Sequence, residues 1–180
     1  MRGGDKLLED VGGEPMLRRA ARMAAGTGLQ VIVALRPDRP DRARVLEGLP
    51  VTPVLVPDPG DGMSASLRAA ASVAPQDAPL AVCLADMPEI TTEDLAALVE
   101  AYHAAGGDRV VRAASEDGRP GQPVIFPPRL RDDLLALSGD AGGRDILRTE
   151  TPILVPLRGL RALTDLDTPE DFAAWRGGRR

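Results

Sequence analysis

Cysteine, histidine, lysine and aromatic residues are all scarce in this chain, and each scarcity removes a class of protein. Cys83 is the only cysteine, so no intramolecular disulfide can form and a cysteine-based zinc site is ruled out. Aromatics are 2% of the residues and the net charge is −5, whereas nucleic-acid binders carry a basic face and, for single strands, stacking aromatics. The arginines are diluted among carboxylates, so no nucleic-acid partner is expected. No apolar run approaches the roughly 20 residues of a membrane-spanning helix, and the first residues lack a secretory pattern. The expectation is a cytoplasmic protein with no membrane contact. The single histidine, His103, falls near the end of a helical pattern, where it reads as a surface or packing residue. Without a serine–histidine or cysteine–histidine pair, hydrolase chemistry loses ground.

What is present is an alternation of strand and helix patterns. "EPMLRRAARMAAG" has helical spacing, with Pro15 suited to a first turn and Gly26 or Gly28 to the end. "LQVIVAL" is a nearly continuous apolar run, as expected of a strand covered on both faces. "RPDRARVLEGL" reads as a short helix, "VTPVLVPD" as a strand, "MSASLRAAASVA" as a helix and "LAVCLAD" as a third buried strand. Cys83 within that strand reads as an inert small hydrophobe. "TTEDLAALVEAYHAAGG" is the clearest helix, with Thr91 and Asp94 at capping-box spacing and Gly106 as the stop. Strands "RVVRAAS" and "PVIFPP", helices "LRDDLLALSG" and "GGRDILRTE" and the strand "TPILVPL" follow. The last helix, in "LTDLDTPEDFAAW", is capped by Thr168 with Pro169 at its first position. The pattern predicts one three-layer α/β domain with a mostly parallel sheet and helices on both faces. Ligands of such sheets bind beyond the carboxyl ends of the strands.

Three strand exits and one lysine could carry chemistry. Asp86, fixed by Pro88 after "LAVCLA", is a hard-cation ligand or a turn-capping residue. In "PGDGMSASLRAA", Gly60 and Gly62 let backbone approach a ligand, and Ser64 or Ser66 can cap the helix start; an ordinary glycine loop would look the same. Asp165 and Asp167, two apart on an extended segment, would face one side and invite a cation or cap the following helix. Asp86 and Asp167 together could hold one Mg²⁺, which takes one or two carboxylates plus phosphate oxygens and water. Lys6, behind a glycine pair, can act as a point charge on phosphates or be a solvated surface lysine.

The segments "GGDKLLEDVGGEPMLRRAARMAAGTGLQVIVAL", "DGMSASLRAA", "LADMPEIT", "GRPGQPVIF", "LSGDAGGRDIL" and "DLDTPEDF" occur in this order. Along essentially its whole length the chain resembles the molybdenum cofactor cytidylyltransferase group of the MobA-like nucleotidyltransferases. The resemblance implies a Rossmann-like fold of the nucleotide-diphospho-sugar transferase type. It implies transfer of CMP from CTP to the terminal phosphate of molybdopterin, with pyrophosphate released. Lys6 would contact the triphosphate, and Gly62, Met63, Ser64 and Ser66 would lie beside base and ribose. Asp86 would bind Mg²⁺, with Asp167 or Asp165 as second acidic ligand. Gly121, Gln122 and Pro123, together with residues 138–143 including Gly139 and Asp140, would line the pterin side. Partners implied are CTP or GTP, molybdopterin and a molybdoenzyme maturation chaperone. A phosphate monoester nucleophile is largely ionised near neutral pH, so no general base is needed.

Family members open with a strand and a loop of the form L-A-A-G-x-S-x-R-M-G, of which "MRGGDKLL" resembles only the last part. The expectation is therefore a single domain over residues 1–180 that is N-terminally incomplete, from a start placed too far downstream, a truncated form or a short homologue. Poor nucleotidyl transfer would follow, because loop amides that hold the triphosphate would be lacking. The rival readings are a GTP-using guanylyltransferase, a sugar-phosphate nucleotidyltransferase, a non-catalytic module such as a receiver domain, and a MobA-like oxidoreductase. A receiver needs an acidic pair after its first strand and a late lysine, and "GDGMSA" lacks the full dinucleotide fingerprint.

Overall fold

The computed structural model describes residues 4–139 and 142–177. Six strands and seven α-helices alternate along them: α1 (Met16–Ala25), β1 (Val31–Leu35), α2 (Asp41–Arg44), β2 (Val51–Leu55), α3 (Gly62–Val73), β3 (Leu80–Val82), α4 (Thr92–Ala104), β4 (Val111–Ala114), β5 (Pro120–Phe126), α5 (Arg131–Leu135), α6 (Arg144–Thr149), β6 (Ile153–Pro156) and α7 (Pro169–Gly177). A short 3₁₀ turn, Lys6–Leu8, precedes them.

The strands form a parallel pair, β1–β2, and a four-stranded sheet in the order β3-β5-β4-β6. β4 and β6 are parallel, with Val111 opposite Ile153. β5 runs antiparallel to both β3 and β4. The described sheet is thus mixed, where the sequence pattern predicts a mostly parallel one. The reason is the short connection between β4 and β5. Ser115 N–H donates to the Arg119 carbonyl and Gly118 N–H to that of Ser115, at 2.9 and 2.8 Å, so the chain reverses at once. Only a crossover could have kept β5 parallel to β4.

Helices cover both faces of the larger sheet. On one face Leu95, Leu98 and Tyr102 of α4 pack with Val111, Ala113, Ile125 and Leu157. On the other, Ala71 of α3, Leu134 of α5 and Ile146 of α6 pack with Val110, Val124 and Phe126. Burying one such leucine contributes about 2 kcal/mol. The result is the three-layer α/β arrangement. α4 begins at a complete capping box: Thr91 accepts from Asp94 N–H at 3.2 Å and Asp94 accepts from Thr91 N–H at 3.0 Å.

Two strand expectations change. In β1, Val31, Ile32, Val33 and Ala34 are half-buried and only Leu35 is buried, because this strand pairs with β2 alone among the described residues. β3 stops at Val82, so Cys83 and Leu84 continue in irregular backbone toward Asp86. A third cluster joins the two ends of the chain: Val11 and Met16 pack with Leu166, Phe172 and Trp175, and Leu7 rests against them. That cluster brings Lys6 and Asp167 to one place.

Candidate active site

Three segments far apart in sequence converge on Lys6. Its Nζ donates to Asp86 Oδ2 at 2.7 Å and to Asp167 Oδ1. Asp86 stands past the end of β3, and Leu166 N–H donates to its backbone carbonyl at 3.0 Å, stitching the segment before α7 to this loop. Arg19 Nε donates to the Pro88 carbonyl at 3.0 Å and holds the loop from its other side. Asp167 is fixed by the start of α7. The Asp171 carboxylate accepts from Asp167 N–H at 3.1 Å, and from Thr168 N–H and hydroxyl, both at 2.7 Å.

Burial pulls the Lys6 ammonium down, but hydrogen bonds to Asp167 and Asp86 outweigh it and hold the group above its ordinary value. Lys6 is therefore charged at neutral pH. Asp86 Oδ1 is buried and has no hydrogen-bond partner among the described residues. A buried carboxylate oxygen without a donor is costly unless a cation or a ligand group meets it. The two carboxylates already share one cation, the ammonium, so an oxygen-seeking divalent ion suits the same pair. No group of three or more histidine, cysteine, aspartate or glutamate side chains suited to a metal occurs among the described residues. A hard ion here would complete its coordination with substrate oxygens and water, as Mg²⁺ does.

Asp165 does not join this group. It is exposed and lines an open cleft of about 370 Å³ with Glu89, Leu166, Asp171 and Trp175, while Lys6 pairs with Asp86 and Asp167. Of the two aspartates, Asp167 is the one that pairs with Lys6.

The remaining residues singled out in sequence fall on the first turns of α3, the segment before α6 and the first half of β5. Gly62 opens α3 at φ +54°. Met63 is exposed, and its sulfur lies beside Gly142, whose φ of +54° favours glycine. Ser64 is fully buried and donates to the Ser138 carbonyl at 3.3 Å, so its hydroxyl ties the start of α3 to the segment after α5. Ser66 is half-buried and Gly139 exposed. Asp140 lies outside the described residues. Gly121 is buried, with N–H of Gln122 donating to the Ala162 carbonyl at 2.9 Å. Pro123 is fully buried, whereas Gln122 keeps part of its surface, and its buried Oε1 has no partner among the described residues. Ser64 and Pro123 thus have next to no surface with which to meet a ligand.

Two contributors escaped the sequence reading. Asp171 could have been found, since Thr168 and Asp171 have capping-box spacing. Asp5, next to Lys6 and bonded to Arg42, gives no local signal.

The profile of the MobA-like NTP transferase domain matches residues 1–154. A probable molybdenum cofactor guanylyltransferase from Natronomonas pharaonis is 30% identical over 177 residues, covering 93% of this chain and 86% of the relative. Among solved structures, the homologue of Mycobacterium tuberculosis Rv0371c from Mycobacterium sp. strain JC1 superposes with a TM-score of 0.83 at 25% identity, covering 98% of this chain and 88% of its own. Rv0371c of Mycobacterium tuberculosis H37Rv, solved as a manganese complex, gives a TM-score of 0.77 at 23% identity over 96% and 91% of the two chains.

Proposed function

Because this chain belongs to the MobA-like NTP transferase domain family, we propose that it moves a nucleoside monophosphate from a nucleoside triphosphate onto the terminal phosphate of molybdopterin. An oxygen of that phosphate forms a bond to the α-phosphorus, the bond from the α-phosphorus to the bridging oxygen breaks, and pyrophosphate leaves with the electron pair. The observation that carries this reading is Lys6 held between Asp86 and Asp167, with one Asp86 oxygen still lacking a partner.

The nucleotide we propose is GTP. The resemblance of "GMSASL" and "GDAGGRDIL" to cytidylyltransferases points to CTP, but the 30% identical relative is named as a guanylyltransferase. The guanine reading therefore displaces the cytosine one. Gly62, Met63 and Ser66 on the first turns of α3 are offered to base and ribose, and Gln122 with the segment before α6 to the pterin side.

Asp86 and Asp167 would hold the divalent ion, proposed as Mg²⁺, and when bound it would neutralise phosphate charge and polarise the α-phosphate. Lys6, charged at neutral pH, screens the repulsion between an anionic nucleophile and an anionic triphosphate. No side chain has to remove a proton, since the attacking phosphate is already ionised. A cytoplasmic location, and handover of the product to a molybdoenzyme through a maturation chaperone, go with this reading.

The test is pyrophosphate release with molybdopterin and Mg²⁺, run side by side with GTP and CTP. Turnover with GTP that falls about a hundredfold in Asp86→Asn is expected. Turnover with CTP alone would overturn the guanine assignment. Undiminished turnover in Asp86→Asn would overturn the site.

A further inference from the structure

Lys6 is the only lysine in the chain, and it stands on a flexible four-carbon stem that loses rotamer freedom when fixed. The turn that carries it is three residues long and has no fully buried side chain. Leu7 packs against two apolar clusters on one side of the turn, and polar contacts fix the side that carries Lys6. Asp5 caps it, accepting from Leu7 N–H at 3.1 Å. The same carboxylate receives Arg42 in a two-pronged pair, Nε to Oδ2 at 2.8 Å and Nη2 to Oδ1 at 3.0 Å.

The setting of this pair separates it from the chain's surface ion pairs. The Asp5 and Arg42 side chains are 8% and 17% exposed, against 60% and 74% for Asp41 and Arg44 of the same short helix as Arg42. Solvent screens the inner pair far less. Burial pushes the Asp5 carboxyl up, but the Arg42 hydrogen bonds and charge outweigh it, and the group stays ionised well below neutrality. Arg42 is itself on a braced element. Arg18 of α1 donates to the Val45 and Glu47 carbonyls at 2.8 and 2.9 Å, just past the end of α2. The chain of contacts runs from α1 through Arg18 to α2, through Arg42 to Asp5, and through the capped turn to Lys6.

We infer that Asp5, braced by Arg42, is a positioning residue that sets where the Lys6 ammonium stands between Asp86 and Asp167. Its geometric content stands on its own; its meaning for catalysis rests on the nucleotidyltransferase reading above. Asp5 acts through Lys6, and Arg42 acts through Asp5.

A single lysine makes the test direct, because isotopic labelling of lysine gives one side-chain NMR signal. In the unaltered protein that signal has the shift of an ammonium held between two carboxylates. Asp5→Asn keeps the size and removes the charge, and it moves the chemical shift of Lys6 toward that of a free lysine. Arg42→Lys keeps the charge but loses the two-pronged geometry, and gives an intermediate shift. A folded Asp5→Asn protein with a lowered melting temperature and an unchanged Lys6 signal would overturn the inference. If Asp5→Asn does not fold, the same comparison in Arg42→Lys decides.

A second arm uses Mg²⁺ with GTP. Asp5→Asn weakens nucleotide binding or turnover by up to about a hundredfold, the scale of a misplaced catalytic group, and has no further effect in a Lys6→Ala background. An equal loss in both backgrounds shows that Asp5 does not act through Lys6 and overturns the inference. A Lys6 signal that follows Asp5 yet never responds to nucleotide upholds the positioning role and defeats the nucleotidyltransferase reading instead.

Discussion

A methyl group on residue 121 would stand 1.9 Å from the Ala162 carbonyl oxygen, so glycine is required there by a backbone neighbour. Arg112 reinforces the same spot, its Nε donating to the Gly121 carbonyl at 2.8 Å. Gly121→Ala must push the 162 segment away, and overpacking of this kind costs about 2 kcal/mol. Urea denaturation should show that loss. Because the same segment continues to Asp167, turnover should fall as well. Cys83 gives a second expectation at this scale. Cys83 is half-buried as a residue, but the protein around its sulfur pushes the thiol up to about 12, and the thiolate is the reactive form. An aromatic disulfide reagent at pH 8 should therefore react slowly with the folded protein and at once when urea is added. Fast reaction in the native state would show that the thiol is open to solvent.

The elements that hold the site are helix starts, and both can be read from sequence. Thr91 with Asp94 opens α4, and Thr168 with Asp171 opens α7. Asp94 also takes Arg161 at 3.1 Å, so the cap of α4 is tied to the turn after β6. Asp171→Ala removes a cap and the acceptor that fixes Asp167, which should cost about 1 kcal/mol. On the proposed reading it should also weaken binding of a divalent ion, probed with manganese by its relaxation signal, while the far-ultraviolet spectrum stays that of a folded protein. The helices were legible because capping residues and 3.6-residue periodicity are local. β5 was harder: its first residues, Pro120, Gly121 and Gln122, precede the strand pattern "PVIFPP", yet they belong to the strand, and the neighbouring turn takes up the Gln122 amide. The mixed sheet was hidden for the same kind of reason, since strand direction is decided by the tightness of one connection. At the site, Lys6, Asp86 and Asp167 were named from sequence. Asp5 with Arg42 was not, because a contact 37 residues apart leaves no periodic trace.

Across the whole molecule, distant segments are joined by ion pairs around the Lys6 turn: Asp5 to Arg42, Lys6 to Asp86, Lys6 to Asp167. The pH dependence of stability should carry their signature at both ends. Asp5, Glu14 and Glu150 are held below their ordinary values of 3.8, 4.5 and 4.5: burial acts against the arginine bonds at Asp5, while arginine bonds lead at the two glutamates. A depressed carboxyl contributes stability that is present above its unfolded value and lost as pH falls through the folded one, so the acid limb lies below about pH 4. Lys6 and Cys83 are raised above 10.5 and 9.0. Each contributes stability that is complete below its unfolded value and fades as pH rises toward the folded one, which puts the alkaline limb above about pH 9. Melting temperature should therefore be level between about pH 5 and 8 and fall on both sides. Asp5→Asn should flatten the acid limb, because its neutral amide no longer gains from Arg42 as pH rises. Cys83→Ala should remove the first part of the alkaline limb, and Lys6→Met the part above about pH 10. An acid limb of unchanged steepness in Asp5→Asn would mean that the Arg42 pair contributes no net stability, and that the Lys6 turn is held by its apolar neighbours alone.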